Sequence, residues 1–139
     1  MDILTKEERS VRMGRVRTKD TEPELAVRRW LHGRGYRYRL HVRHLPGRPD
    51  LVFPSRKKAI FVHGCFWHRH DGCKLATLPK TRPDFWIPKL EGNVARDARK
   101  SGALADAGWT SLVVWQCELR DLDAVGRRIV EFLDEKTVS

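Results

Sequence analysis

The chain has 139 residues, 40% apolar and 33% charged, and 28 Lys and Arg against 18 Asp and Glu give a formal net charge of +10. That length suits one domain that needs no disulfide framework, and the apolar share excludes a disordered polyelectrolyte. No apolar run approaches the roughly 20 residues of a bilayer span, and Met1-Asp2-Ile3-Leu4 does not open a signal peptide, so a cytoplasmic protein is expected, and its charge calls for a polyanion such as DNA or RNA.

In chain order, Thr5-Lys6-Glu7-Glu8 reads as a capping box for a short helix over 6–13. With Arg9, Arg12, Arg15, Arg17 and Lys19 it forms a basic arm, residues 1–20, ahead of a single domain, 21–139. Thr21-Glu22-Pro23-Glu24 is a second capping box with proline in the first turn, predicting a helix over 22–32 whose apolar face holds Leu25, Ala26, Trp30 and Leu31. Tyr36-Arg37-Tyr38-Arg39-Leu40 alternates with the period of a half-buried strand. A turn-rich loop, Leu45 to Pro49, precedes two short strands, 50–53 and 58–62, broken at Pro54-Ser55. A Pro- and Thr-containing loop, 75–83, leads to a long helix over 87–107, since Pro88 fits a first turn. On that helix Lys89, Asn93 and Asp97 share one face, beside an apolar row of Leu90, Val94 and Ala98 expected to be buried. After Gly108 a buried strand over 110–115 and a closing amphipathic helix over 122–133 complete an α/β pattern, a mixed sheet flanked by helices.

The densest chemistry lies in His63-Gly64-Cys65-Phe66-Trp67-His68-Arg69-His70-Asp71-Gly72-Cys73. Cys65, His70 and Cys73, with the distant Cys117, offer three thiolates and an imidazole, a donor set for tetrahedral, structural Zn2+. Asp50 opens a strand whose neighbour ends at Val62-His63. It reads either as a turn aspartate after Pro49 or as an oxygen ligand for a hard ion such as Mg2+. His63 and His68 remain once His70 goes to zinc; either can move a proton near neutral pH, and Asp97 can orient one of them or pair with Lys100. Phe66-Trp67 and Phe85-Trp86 are core rings or, in a basic protein, rings that stack on bases.

Pro49-Asp50, Phe61-Val62-His63-Gly64-Cys65-Phe66-Trp67-His68-x-His70, Phe85-Trp86, Asn93-Val94-x-Arg96-Asp97 and Val114-Trp115-x-Cys117 together resemble the very short patch repair (Vsr) DNA mismatch endonucleases, from about Arg9 to Leu119. The resemblance implies a zinc-containing PD-(D/E)XK (restriction-endonuclease-like) fold that nicks DNA 5′ of the thymine in a T:G mismatch left by deamination of 5-methylcytosine. It further implies Mg2+ on Asp50 and the Val62 main-chain carbonyl, His68 activating water, His63 at the scissile phosphate, and Asp97 and Glu24 in support. Phe66, Trp67 and Trp86 match the intercalating rings; Met13, Lys89 and Asn93 match residues around the wobble pair; Cys65, His70, Cys73 and Cys117 match the zinc ligands. The chain departs from the commonest nuclease signature, which has an acid and a lysine where Val62 and Gly64 stand, and Val62 replaces a threonine.

Two other readings remain open on the residues alone: a restriction-type endonuclease of the same fold acting on matched or modified DNA, and a zinc-stabilised DNA-binding module without catalysis. The absence of a heptad pattern or a spare apolar helix face favours a monomer on nucleoid DNA, with mismatch-repair proteins as candidate partners.

Overall fold

The computed structural model describes residues 21–40 and 42–135. The expected helix over 6–13, the basic arm and Met13 lie outside them. Helix α1 (Glu22–Gly33) is followed by strands β1 (Arg39–Leu40), β2 (Leu51–Phe53) and β3 (Lys58–His63), helix α2 (Pro83–Asp106), strand β4 (Thr110–Trp115) and helix α3 (Leu122–Asp134). The sheet order is β1-β2-β3-β4. β2 runs antiparallel to β1 and β3, whereas β3 and β4 are parallel, because α2 carries the chain back across the sheet between them.

Period-2 alternation distributes the sheet between two cores. Leu51 and Phe53 of β2 and Ile60 of β3 join Val27 and Leu31 of α1 and Val125, Ile129 and Leu133 of α3 on one face. Val52, Ala59 and Phe61 turn to the other face and pack with Leu45 and with Leu104 of α2. Covered on both sides, β2 and β3 read as continuous apolar runs. At the α1–α3 contact, Gly126 lets the helices meet: a Cβ there would lie 2.1 Å from the Trp30 ring.

Three local expectations are corrected. The strand over 36–40 shrinks to Arg39–Leu40, because the preceding tyrosines are drawn to the helices. Tyr38 Oη donates to the Arg28 carbonyl at 3.2 Å, and Tyr36 Oη to Asp134 Oδ2 at 3.3 Å. The long helix starts at Pro83 rather than 87, with Pro83 in its first turn and Pro88 inside it. A proline there forfeits only the bond to a carbonyl near the helix start, and burial of Trp86 within the added turn holds the extension. Finally, Val94 and Ala98 are exposed, Val94 by 44%. The inward face of α2 is instead Trp86, Leu90, Asn93, Asp97 and Leu104, so the polar face and the packed face coincide where the helix crosses the sheet edge.

Lys58, 3% exposed, opens β3 beneath the end of α3. Its Nζ donates to the carbonyls of Phe132, Leu133 and Glu135, and Arg56 Nε donates to Leu133 O at 3.1 Å. Cations there satisfy the orphan carbonyls and the negative end of the helix dipole.

Candidate functional site

The strand directions bring the start of β2 and the ends of β3 and β4 to one edge of the sheet. Asp50 precedes β2, His63 ends β3, and Trp115 ends β4. The first turn of α1 adds Glu24, and the middle of α2 adds Asn93 and Asp97.

Asp50 Oδ2 accepts from the Val62 N–H at 2.7 Å, which sets the carboxylate against the last residues of the β3 backbone. Its other neighbour is Glu24, 1% exposed and capped from below by Thr21, whose Oγ1 accepts from the Glu24 N–H at 3.4 Å. Glu24 also pairs with Arg28 one helical turn on. Burial, and then the hydrogen bond with Glu24, push the Asp50 carboxyl up to about 8, against the pull of the Val62 N–H and Arg28. A buried and a half-buried carboxylate in contact cannot both hold full charge beside one guanidinium, so a proton or a cation completes the pocket. An all-oxygen donor set fits a hard divalent ion.

Next to this pair, the His63 and His68 rings stack with centroids 3.8 Å apart and planes 8° from parallel. His63 is 8% exposed, and burial followed by the nearby His68 lowers its pKa to about 4. His68 Nδ1 lies 2.6 Å from Asp97 Oδ2. Burial acts to raise the Asp97 pKa, but the His68 hydrogen bond, the two imidazoles and Lys100 together hold it below the ordinary carboxylate value. A neutral imidazole whose Nδ1–H is fixed by a carboxylate presents Nε2 as a base.

The four donors Cys65, His70, Cys73 and Cys117 converge, their ligand atoms all within 4.8 Å of one another. The Cys117 Sγ to His70 Nδ1 distance is 3.3 Å, and the Cys117 N–H donates to Cys65 Sγ at 3.4 Å. The loop is wound tightly to achieve this, with His68 N–H on Gly64 O, His70 N–H on Cys65 O, and Arg69 and Gly72 in left-handed backbone. Burial pushes the Cys65 thiol up to about 11. Cys73 falls to about 7, since the Leu75 N–H, His70 and the other two cysteines outweigh the desolvation that acts to raise it. Three thiols and an imidazole at this spacing fit one thiophilic cation, which would fix the deprotonated thiolates.

Phe66, Trp67, Phe85 and Trp86 form one aromatic group: Phe66 lies 5.1 Å from Trp67 and 5.3 Å from Trp86, and Trp86 lies 5.0 Å from Phe85, centroid to centroid. Trp86 is 7% exposed and forms the base, while Phe66 and Trp67 are half-buried at the rim. Asn93 Nδ2 donates to Trp67 O at 3.0 Å, tying the rim to α2, and Lys89 projects to solvent one turn earlier.

Sequence reasoning passed over two residues. Arg28, which neutralises Glu24, carried only the signal of its i+4 spacing from a capping-box glutamate. Trp115, read as a strand residue, meets His63 edge-on at 5.2 Å and stacks on His70 at 4.3 Å, so one ring joins the two histidine clusters.

A mixed sheet with a carboxylate pocket, a carboxylate-oriented imidazole and a metal-ligand cluster on one edge, in a strongly basic chain, defines a nuclease-type centre. Residues 1–74 match the family model described as DNA mismatch endonuclease Vsr. The type II nicking enzyme V.XorIIP of Xanthomonas oryzae pv. oryzae is 57% identical over 133 residues, covering 96% of this chain and 97% of that protein. The DNA mismatch endonuclease Vsr of Escherichia coli K12 is 43% identical over 119 residues, 86% of this chain and 76% of that protein. The type II nicking enzyme V.NmeAIP of Neisseria meningitidis serogroup A is 39% identical over 120 residues, with 86% and 85% covered. The chain belongs to the Vsr family and is a DNA endonuclease.

Proposed function

We propose that this endonuclease nicks DNA on the 5′ side of the thymine in a T:G mismatch produced by deamination of 5-methylcytosine, and that hydrolysis requires Mg2+. The observation that carries the reading is the juxtaposition, on one sheet edge, of the Glu24–Asp50 pocket with His68 held by Asp97 at 2.6 Å. Asp50, backed by Glu24 and by the Val62 main-chain carbonyl, would hold Mg2+, which supplies charge neutralisation at the phosphate and a more acidic bound water. His68 takes the proton of the attacking water at Nε2, and Asp97 keeps the ring in the tautomer that allows it. His63, stacked beneath His68, faces the scissile phosphate.

Cys65, His70, Cys73 and Cys117 hold a structural Zn2+, a closed set of four protein ligands that keeps the knot and its aromatic rim in place. Phe66, Trp67 and Trp86 enter the duplex beside the mismatch. Trp86 does so from its buried seat only if the aromatic group opens, so Phe66 and Trp67 at the rim lead. A wobble pair costs less to distort than a matched pair, which gives the wedge its selectivity. Lys89 and Asn93 line the approach to the pair, and Met13, outside the described residues, is assigned to contact with the same pair. The fold is of the PD-(D/E)XK restriction-endonuclease-like type, the enzyme works as a monomer on nucleoid DNA in the cytoplasm with mismatch-repair proteins as partners, and residues 1–20 act as a basic arm on the 21–139 domain.

The test is a strand-resolved nicking assay on a duplex with one central T:G pair and on its matched control, with Mg2+ and with EDTA. A Mg2+-dependent nick confined to the T strand is expected. Cutting of both duplexes would favour a restriction-type enzyme, and binding without cutting a non-catalytic module.

A further inference from the structure

Among the described residues, two side-chain clusters at the sheet edge carry nitrogen or sulfur donors, and the structural zinc proposed above would account for one of them. His63, His68 and Asp97 come from the end of β3, the loop after it and the middle of α2, and each offers a ligand atom within 4.8 Å of the others. His63 is 8% exposed, yet its Nδ1 is buried with no hydrogen-bond partner among the described residues. Buried polar atoms are nearly always satisfied, so an orphaned imidazole nitrogen marks a position that another group fills. His68 is the more exposed of the pair, and its Nδ1 lies 2.6 Å from Asp97 Oδ2, so imidazole and carboxylate donors already sit side by side. The two rings lie parallel with centroids 3.8 Å apart, which places both imidazoles in one small cluster.

We propose that His63, His68 and Asp97 form a second cation site, two imidazoles and one carboxylate, that takes a borderline divalent transition ion such as Zn2+, Co2+ or Ni2+ and is separate from the Glu24–Asp50 pocket. Ligand chemistry divides the two sites. Imidazole nitrogen selects late first-row ions, whereas Mg2+ keeps to carboxylate and water oxygens in octahedral geometry. An ion at the histidine pair occupies the nitrogens that catalysis uses. Its consequence, which rests on the function proposed above, is inhibition of nicking that excess Mg2+ does not relieve.

The experiment titrates Co2+ into the full chain carrying one equivalent of Zn2+ in the Cys65–His70–Cys73–Cys117 cluster, followed by calorimetry and visible absorption. One further equivalent is expected, with d–d bands and no thiolate charge transfer. Its affinity should fall at least tenfold in His68→Ala and in Asp97→Asn and stay unchanged in Asp50→Asn. His68 lies on a partly exposed loop, so its truncation leaves the core intact. No equivalent beyond the thiolate cluster, or one lost in Asp50→Asn and kept in His68→Ala, overturns the site. A protein that binds the extra ion yet nicks no T:G duplex supports this site while overturning the proposed function.

Discussion

His68 Nδ1 and Asp97 Oδ2 meet at 2.6 Å although 29 residues separate them in the chain. Removing the imidazole removes the proposed base, and positioned general bases contribute about 10²–10⁴-fold to rate. His68→Ala is therefore expected to lower single-turnover nicking by that factor, and Asp97→Asn by a smaller one, with DNA affinity within about threefold of the parent. Full activity in His68→Ala would assign the proton transfer elsewhere.

Protonation of the carboxylate pocket gives a pH signature. Burial and the Glu24 contact raise Asp50 to about 8, so below that pH its protonated form is favoured and an incoming cation must displace a proton. Apparent Mg2+ affinity should weaken about tenfold per pH unit on acidification and level off above about pH 8. Mn2+ or Mg2+ titrations without DNA between about pH 6 and about pH 9 check this; a flat profile contradicts the shared-proton pocket. Asp50→Ala should abolish cutting and retain binding.

Losing a ligand of the cysteine cluster should cost stability as well as metal. Cys117→Ser is expected to abolish binding of the zinc proposed for this cluster and destabilise the fold by on the order of 4 kcal/mol, the scale at which loss of a metal is diagnostic. Atomic absorption and thermal melting with and without chelator measure it. Unchanged melting would make the cluster dispensable for folding.

Asn93 bears on selectivity. Its amide holds the Trp67 carbonyl at 3.0 Å, and a hydrogen bond of this kind contributes about 1 kcal/mol. Asn93→Ala should reduce the T:G over matched-duplex cutting ratio about fivefold, with a fall of only a few degrees in melting, and Trp67→Ala should reduce the ratio further. Competition assays on paired substrates read the ratio directly.

Away from the site, Gly126→Ala tests the α1–α3 contact. The added methyl would fall 2.1 Å from the Trp30 ring, and overpacking of this kind costs about 1–3 kcal/mol. Urea denaturation should show a lower midpoint with an unchanged slope, and nicking by the folded fraction should persist.

Much of this architecture was readable from residue order, for physical reasons that also explain the misses. β2 and β3 are short apolar runs bounded by Pro49 and Pro54, and Thr21 caps α1 as its position dictates. The cysteine cluster was legible because its donors are chemically scarce and three of them are close in sequence. What failed depended on tertiary partners. Val94 has the right spacing to be buried, but α2 crosses the sheet edge there and offers that face to solvent. Tyr36 and Tyr38 alternate like strand residues, yet their hydroxyls find partners on the helices. Trp115 was legible only as part of the Val114-Trp115-x-Cys117 motif; its contacts with His63 and His70 exist only once β3 and β4 pair.

The two halves of the centre also differ in how far the chain must travel to make them. Asp50 and Val62 are 12 residues apart, joined by a tight antiparallel hairpin, a unit of the sort that forms in roughly 1–10 μs. Cys65 and Cys117 are 52 apart and meet only after α2 has folded and β4 has docked. Closure of long loops is entropically late in assembly. A newly made chain is thus expected to seat Asp50 on Val62 before it closes its clasp, and for that interval to hold that carboxylate in place without the ordered rim that would aim it at DNA.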